Sequence, residues 1–296
     1  MPGNEPSHGA DAARVPGLSR VRSSRDAADR ASARWPSTEE TTLATPEYFD
    51  KYDNLAFGRD SEGVLLLRFH TNGGPVVFTG RTHQDFPAAL EEISLDRDNK
   101  ALVITGTGDA FMDQIDGPSL GEIFKPAAWE KTRSEGSKVL QRLIELPMPV
   151  VGVANGPATV HSEYLLVADI HIASERATYG DSPHPEFGIT GGDGVQVVWE
   201  EIAGTARAKW LLWTGEQIDA QTALQWGVVS EVVAHDHALE RGVQIARGLA
   251  AKPALYRALQ KQTLNANLRR RILQDVPFGM ALEGLTAADL PYQNQT

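Results

Sequence analysis

His184 and Asp193 stand nine residues apart in the stretch TYGDSPHPEFGITGGDGVQ (178–196). Histidine is the side chain whose ordinary pKa lies nearest neutrality. A carboxylate that accepts its Nδ1–H fixes the tautomer and stabilises the imidazolium formed when the other ring nitrogen takes a proton. The pair therefore suggests a general base able to activate water, if the glycine- and proline-rich loop lets the two side chains meet. A structural reading is equally concrete. A histidine in a proline-flanked turn needs no partner, and Asp193 followed three residues later by Gln196 has the pattern of a helix N-cap with its capping-box residue. The residues alone favour turn and cap.

Other chemistries find less support. There is no cysteine among the 296 residues, which excludes disulfides, thiolate metal sites and cysteine nucleophiles. GDSPH (180–184) has histidine where a serine-hydrolase elbow needs its second glycine. TGTGDAF (105–111) has Phe111 where a dinucleotide loop needs its third glycine, and no P-loop lysine is present. HDH (235–237) reads as an Asp236 N-cap with two solvated histidines rather than a metal site. No metal or cofactor is expected. The net charge of -11 argues against nucleic acid as a partner, because phosphate binding needs a basic face. No apolar run of about 18 residues is available to span a bilayer. A cytoplasmic protein that binds neither nucleic acid nor membrane is expected.

The elements that must position these residues begin near Thr42. Residues 1–41 are rich in arginine, acids and serine and poor in large apolar side chains, which predicts a disordered tail or an overextended start of the reading frame. Beyond it, apolar runs at 64–70, 75–79, 100–105, 149–154, 169–174 and 228–234 predict strands. Helices are predicted between them at 81–96, at 126–146 and from about Val160. Short buried strands alternating with helices predict an α/β fold with parallel pairing. The reading divides the chain into a core over 42–235 and a helical region over 236–296.

Four blocks, in order, resemble the crotonase (enoyl-CoA hydratase/isomerase) superfamily: VITGTGDAFMDQID (103–116), PVVGVANGPATVHSEYLLVADIHIAS (149–174), FGITGGDGVQVVW (187–199) and LLWTGEQIDAQTALQWGVVSEVV (211–233). The resemblance implies a ββα spiral core with a helical carboxyl-terminal region, and assembly as trimers or dimers of trimers. It also implies an oxyanion hole of two backbone N–H groups, one just after Phe111 and one near His161.

The departures from the hydratase pattern are informative. Val160, His161 and Ser162 replace a run of glycines, and the two acid/base glutamates of the hydratases are replaced by Tyr164 and His184. Those departures resemble the 6-oxocamphor hydrolase (β-diketone hydrolase) branch of the superfamily, which matches at His161, His184, Asp193 and Glu283. In that light His184 is the expected base, Asp193 the acceptor of its Nδ1–H and Glu283 an acid/base or water-positioning partner. His161, near a helix N-terminus, is the expected neutral donor to an oxyanion. Phe78 and Leu120 stand where that branch has pocket aromatics and are expected to line the substrate site. The implied activity is retro-Claisen hydrolysis of a cyclic β-diketone, with chemistry on a CoA thioester as the alternative.

Overall fold

The structure, a computed structural model, describes residues 45–292, so the expected tail over 1–41 lies outside the described residues. The amino-terminal half runs β1 (Leu55–Arg59), β2 (Val64–Phe69), β3 (Val77–Phe78), α1 (Gly80–Leu95), β4 (Ala101–Thr105), β5 (Gln114–Ile115) and α2 (Pro126–Glu145). There follow β6 (Val150–Ala154), α3 (Glu163–Leu166), β7 (Ile170–Ser174), β8 (Thr178–Tyr179), α4 (Pro183–Phe187), α5 (Val195–Ala203) and α6 (Thr205–Thr214). The chain ends with β9 (Ile218–Asp219), α7 (Ala220–Trp226), β10 (Glu231–Val233), α8 (Ala238–Ala250), α9 (Ala254–Leu264) and α10 (Ala266–Asp289).

Six strands form one sheet in the order β1-β2-β4-β6-β7-β10. β1 pairs antiparallel to β2, and every other pairing in this sheet is parallel. The parallel part is covered on both faces, which is why its strands read as unbroken apolar runs. Val64, Leu66, Val103, Val151 and Val153 face one side, where Val243, Ala246 and Ala250 of α8 cover them. Leu65, Leu67, Leu102, Ile104 and Val150 face the larger core, built with Phe86, Leu140, Leu143, Leu165 and Trp199. The crotonase-like α/β architecture expected from the sequence is the one observed.

Three details differ from the sequence reading. β1 was not anticipated, because LAFGR alternates weakly and carries a glycine and a charge. The run at 75–79 yields only the two-residue β3, which pairs with β5 away from the main sheet. Asp236 caps nothing: His237 is the N-cap residue of α8 and makes no side-chain cap bond.

Candidate active site

His161, His184 and Asp193 are each placed by a break in regular structure. His161 has φ 48°, and Asn72 is the other described non-glycine residue with positive φ. Such a conformation is costly for a side chain with a Cβ and persists only where its surroundings enforce it. His184 sits in α4, a single turn that starts at Pro183 and ends on Gly188 in the left-handed region. Asp193 lies just before α5. Its Oδ1 accepts the Val195 N–H at 3.2 Å, while Gln196 Oε1 accepts the Gly194 N–H at 3.0 Å. The expected reciprocal cap is thus present in kind but shifted, with Gly194 at the N-cap.

Glu283 arrives from α10, almost a hundred residues further along the chain. A close backbone approach brings it there. A Cβ on Gly192 would overlap the Gly279 carbonyl, and one on Gly279 would overlap Gln196 and the Gly192 carbonyl. One turn beyond Gly279, Glu283 meets the loop that carries His184 and Asp193. Trp129 of α2 donates its Nε1–H to the Met280 carbonyl at 3.1 Å and braces the other side of α10.

These residues line a cavity of about 300 Å³. Its walls are mostly apolar, including Phe78, Leu120, Phe124, Trp129, Phe187 and Ile189, and its polar floor is His161, Glu163, Asp181, His184, Asp193 and Glu283. Both sequence-expected pocket residues line it. Phe78 is fully buried, with its ring 4.3 Å from the His161 ring, and Leu120 is half-buried. Tyr164, at the first hydratase glutamate position, stacks flat on His161 at 4.7 Å.

The pairing within the floor differs from the expected His184–Asp193 dyad. His184 Nδ1 lies 2.8 Å from both Asp181 oxygens, and its Nε2 faces Glu283 Oε1 at 3.5 Å. Asp193 instead approaches His161, with Oδ2 at 3.4 Å from Nδ1, and Glu163 Oε1 takes the same nitrogen at 2.8 Å. Asp193 still acts on His184 through its charge.

The electrostatics correct a second expectation. Burial favours a neutral His161, but the charges and hydrogen bonds of Glu163 and Asp193 overcome it and push its pKa up to about 10. The two acids favour the imidazolium more than one short helix of four residues opposes it, and burial with the charge of Asp193 also raises Glu163, which shares the proton with the ring. Burial likewise opposes charge on His184, yet Asp181, Glu283 and Asp193 raise its pKa well above the ordinary value. Asp193 is held well below the usual carboxylate range by the two histidines, against the effect of burial. Glu283 moves the other way. Burial, only partly offset by His184, pushes its pKa up to about 7, and its Oε2 is buried without a hydrogen-bond partner.

The implied oxyanion hole is also changed. The amide of Met112, just after Phe111, donates to the Pro157 carbonyl at 3.1 Å, and Met112 is fully buried. That amide is engaged by the backbone, and the His161 ring lines the cavity floor as a charged donor. Two trios, His161–Glu163–Asp193 and His184–Asp193–Glu283, have side-chain atoms within 4.8 Å of one another, close enough to hold a cation. In both, the histidine already faces opposite charge. Asp181 and Glu163 were missed from sequence. Their signals were the spacing of three residues before His184 across a helix start, and of two after His161.

Fold and site together define a crotonase-type enzyme with a histidine–carboxylate floor. Residues 59–282 match the enoyl-CoA hydratase/isomerase family, and the chain belongs to that family. Curated relatives include the short-chain-enoyl-CoA hydratase of Clostridium acetobutylicum, 29% identical over 191 residues that cover 64% of this chain and 72% of the relative. The 1,2-epoxyphenylacetyl-CoA isomerase of Escherichia coli is 27% identical, covering 69% of this chain and 79% of that protein. The chain is more similar to a β-diketone hydrolase from the cyanobacterium Anabaena sp. PCC 7120, solved with bound (S)-3-oxocyclohexyl acetic acid. That similarity is 46% identity over 84% of this chain and 100% of the other, with a TM-score of 0.82. Among the described residues, no helix is long and apolar enough to cross a membrane.

Proposed function

We propose that this enzyme hydrolyses a carbon–carbon bond of a cyclic β-diketone by a retro-Claisen reaction. The observation that carries the reading is the cavity floor, where an imidazolium faces a His184–Glu283 pair beneath apolar walls and neither hydratase glutamate remains. The similarity to the cyanobacterial β-diketone hydrolase supports it. An oxo acid such as the one bound there is what results when water adds across a ring bond of a bicyclic 1,3-diketone.

In this reading one carbonyl oxygen of the substrate takes a hydrogen bond from the His161 imidazolium, whose Nδ1 is occupied by Glu163 and Asp193. A water held by His184 and Glu283 attacks that carbon. His184 rests protonated, so the base is the His184–Glu283 pair rather than His184 alone, and Glu283 is the member poised to accept a proton near neutrality. Collapse of the tetrahedral oxyanion breaks the C–C bond, and the second carbonyl takes up the electron pair as an enolate. The proton removed from water returns to the enolate carbon, giving a carboxylic acid and a ketone in one molecule. Phe78 and Leu120 shape the apolar side, and neither step needs a cofactor.

The test is turnover of bicyclo[2.2.2]octane-2,6-dione and related mono- and bicyclic 1,3-diketones, with crotonyl-CoA assayed in parallel. Release of the oxo acid from a diketone is the expected result. Turnover of the thioester alone would overturn the reading in favour of CoA chemistry, which the 27–29% identical relatives perform by name.

A further inference from the structure

We propose that Asp181 is the positioning residue for His184 and that Asp193 is committed to His161, so the floor holds two separate histidine–carboxylate couples with different tasks. The kinetic half of this inference rests on the diketone reading; the structural half does not.

The geometry of the first couple is closed. His184 Nδ1 is equidistant from both Asp181 oxygens, at 2.8 Å each. A carboxylate only accepts hydrogen bonds, so Nδ1 carries the proton and Nε2 is the nitrogen turned toward Glu283. Asp181 is buried, at 4% exposure, and the chain around it is fixed. The Ser182 N–H donates to the Thr159 carbonyl at 3.0 Å, tying this segment to the loop that leads to His161. Pro183 and Pro185 stiffen the single turn between them. Gly191 closes the open side, where a Cβ would come within 3.2 Å of Asp181 Oδ2 and 3.5 Å of His184 Cγ.

In the second couple both Asp193 oxygens are engaged, beside Glu163 at 2.8 Å from the same His161 nitrogen. One oxygen accepts the Val195 amide and the other faces His161 Nδ1. The charged groups facing His184 are therefore Asp181 from the segment before α4, Asp193 from the loop before α5, and Glu283 from α10. Of these, Asp181 alone meets Nδ1. Without it the ring is free to turn over, and Nε2 is no longer held facing Glu283 and the water between them. A misplaced His184 ring lowers kcat and leaves substrate affinity nearly intact.

The experiment uses the full chain labelled with ¹⁵N-histidine, with ring signals assigned through His184→Ala and His161→Ala. The wild type is expected to show a slowly exchanging, far-downfield Nδ1–H on His184, whatever its substrate proves to be. Asp181→Asn should abolish that signal, and Asp193→Asn should move the His161 signals while leaving it in place. On a diketone substrate, Asp181→Asn is expected to lower kcat by roughly 10²–10⁴-fold with KM little changed. Absence of the signal in the folded wild type overturns the proposal without any variant, as does its loss in Asp193→Asn with retention in Asp181→Asn. Presence of the expected signals with no diketone turnover removes the proposed reaction and leaves the two couples standing.

Discussion

At the scale of single residues the site stores protons. His161 and His184 are held as imidazoliums, Asp193 as a carboxylate, and Glu283 near the midpoint of its titration at neutral pH. Activity by the proposed route needs Glu283 ionised and His161 protonated. The expected kcat/KM profile is therefore a bell that rises through about pH 7 and falls through about pH 10. Replacing His161 by alanine should cost roughly 10²–10³-fold in kcat, the usual loss for an oxyanion donor, measured in steady-state assays at pH 8. Glu283 also leaves a mark on stability. Its folded pKa of about 7 exceeds its ordinary 4.5. The folded state thus binds the extra proton between those values, and this contribution is full below pH 4.5 and lost as pH rises through 7. Glu283→Gln should flatten that part of the stability curve, by on the order of 2 kcal/mol, in thermal unfolding at pH 5 and pH 8.

Among the elements, those with strong periodicity were legible and those set by close contact were not. β2, β4, β6 and β7 announce themselves as apolar runs because both sheet faces are covered, and α2 and α8 carry one apolar stripe. β3, β5, β8 and β9 have two residues each and exist only because tertiary neighbours supply their partners. At the site, the family resemblance identified His161, His184, Asp193 and Glu283, and all four line the cavity. It could not foretell which carboxylate meets which ring. Asp181 and Asp193 lie three and nine residues from His184, and the choice between them depends on the φ of Gly188 and Gly194 and on the wall at Gly191. The Gly192–Gly279 approach was equally invisible, since neither glycine carries a signal until α10 is in place. Gly279→Ala should force α10 outward and lower kcat by roughly 10²-fold, the scale of a 1 Å misplacement. The accompanying loss of stability should be only about 1–3 kcal/mol, read from urea unfolding.

For the molecule as a whole, α9 is tied to the sheet by a polar cluster at the start of β6. Lys261 of α9 donates to Asp169 at 2.7 Å, where Asn265 and the Val150 amide also converge. Lys261 is 3% exposed, so Lys261→Met should cost about 3 kcal/mol or more by stranding the carboxylate, measured by chemical denaturation. Leu255, Tyr256 and Leu259 of α9 and Phe278 and Leu285 of α10 are exposed apolar side chains. If the expected trimer or dimer of trimers forms through these helices, light scattering should give three or six times the chain mass. α10 also sets the order in which the enzyme becomes competent. The sheet, both histidines and three of their carboxylates precede it in the chain, yet the proton acceptor arrives only with its docking. On refolding, helical and sheet signals should recover first and turnover should lag behind them. A lag that tracks quenching of Trp129 against α10 would make the last helix the slow switch between a folded protein and a working enzyme.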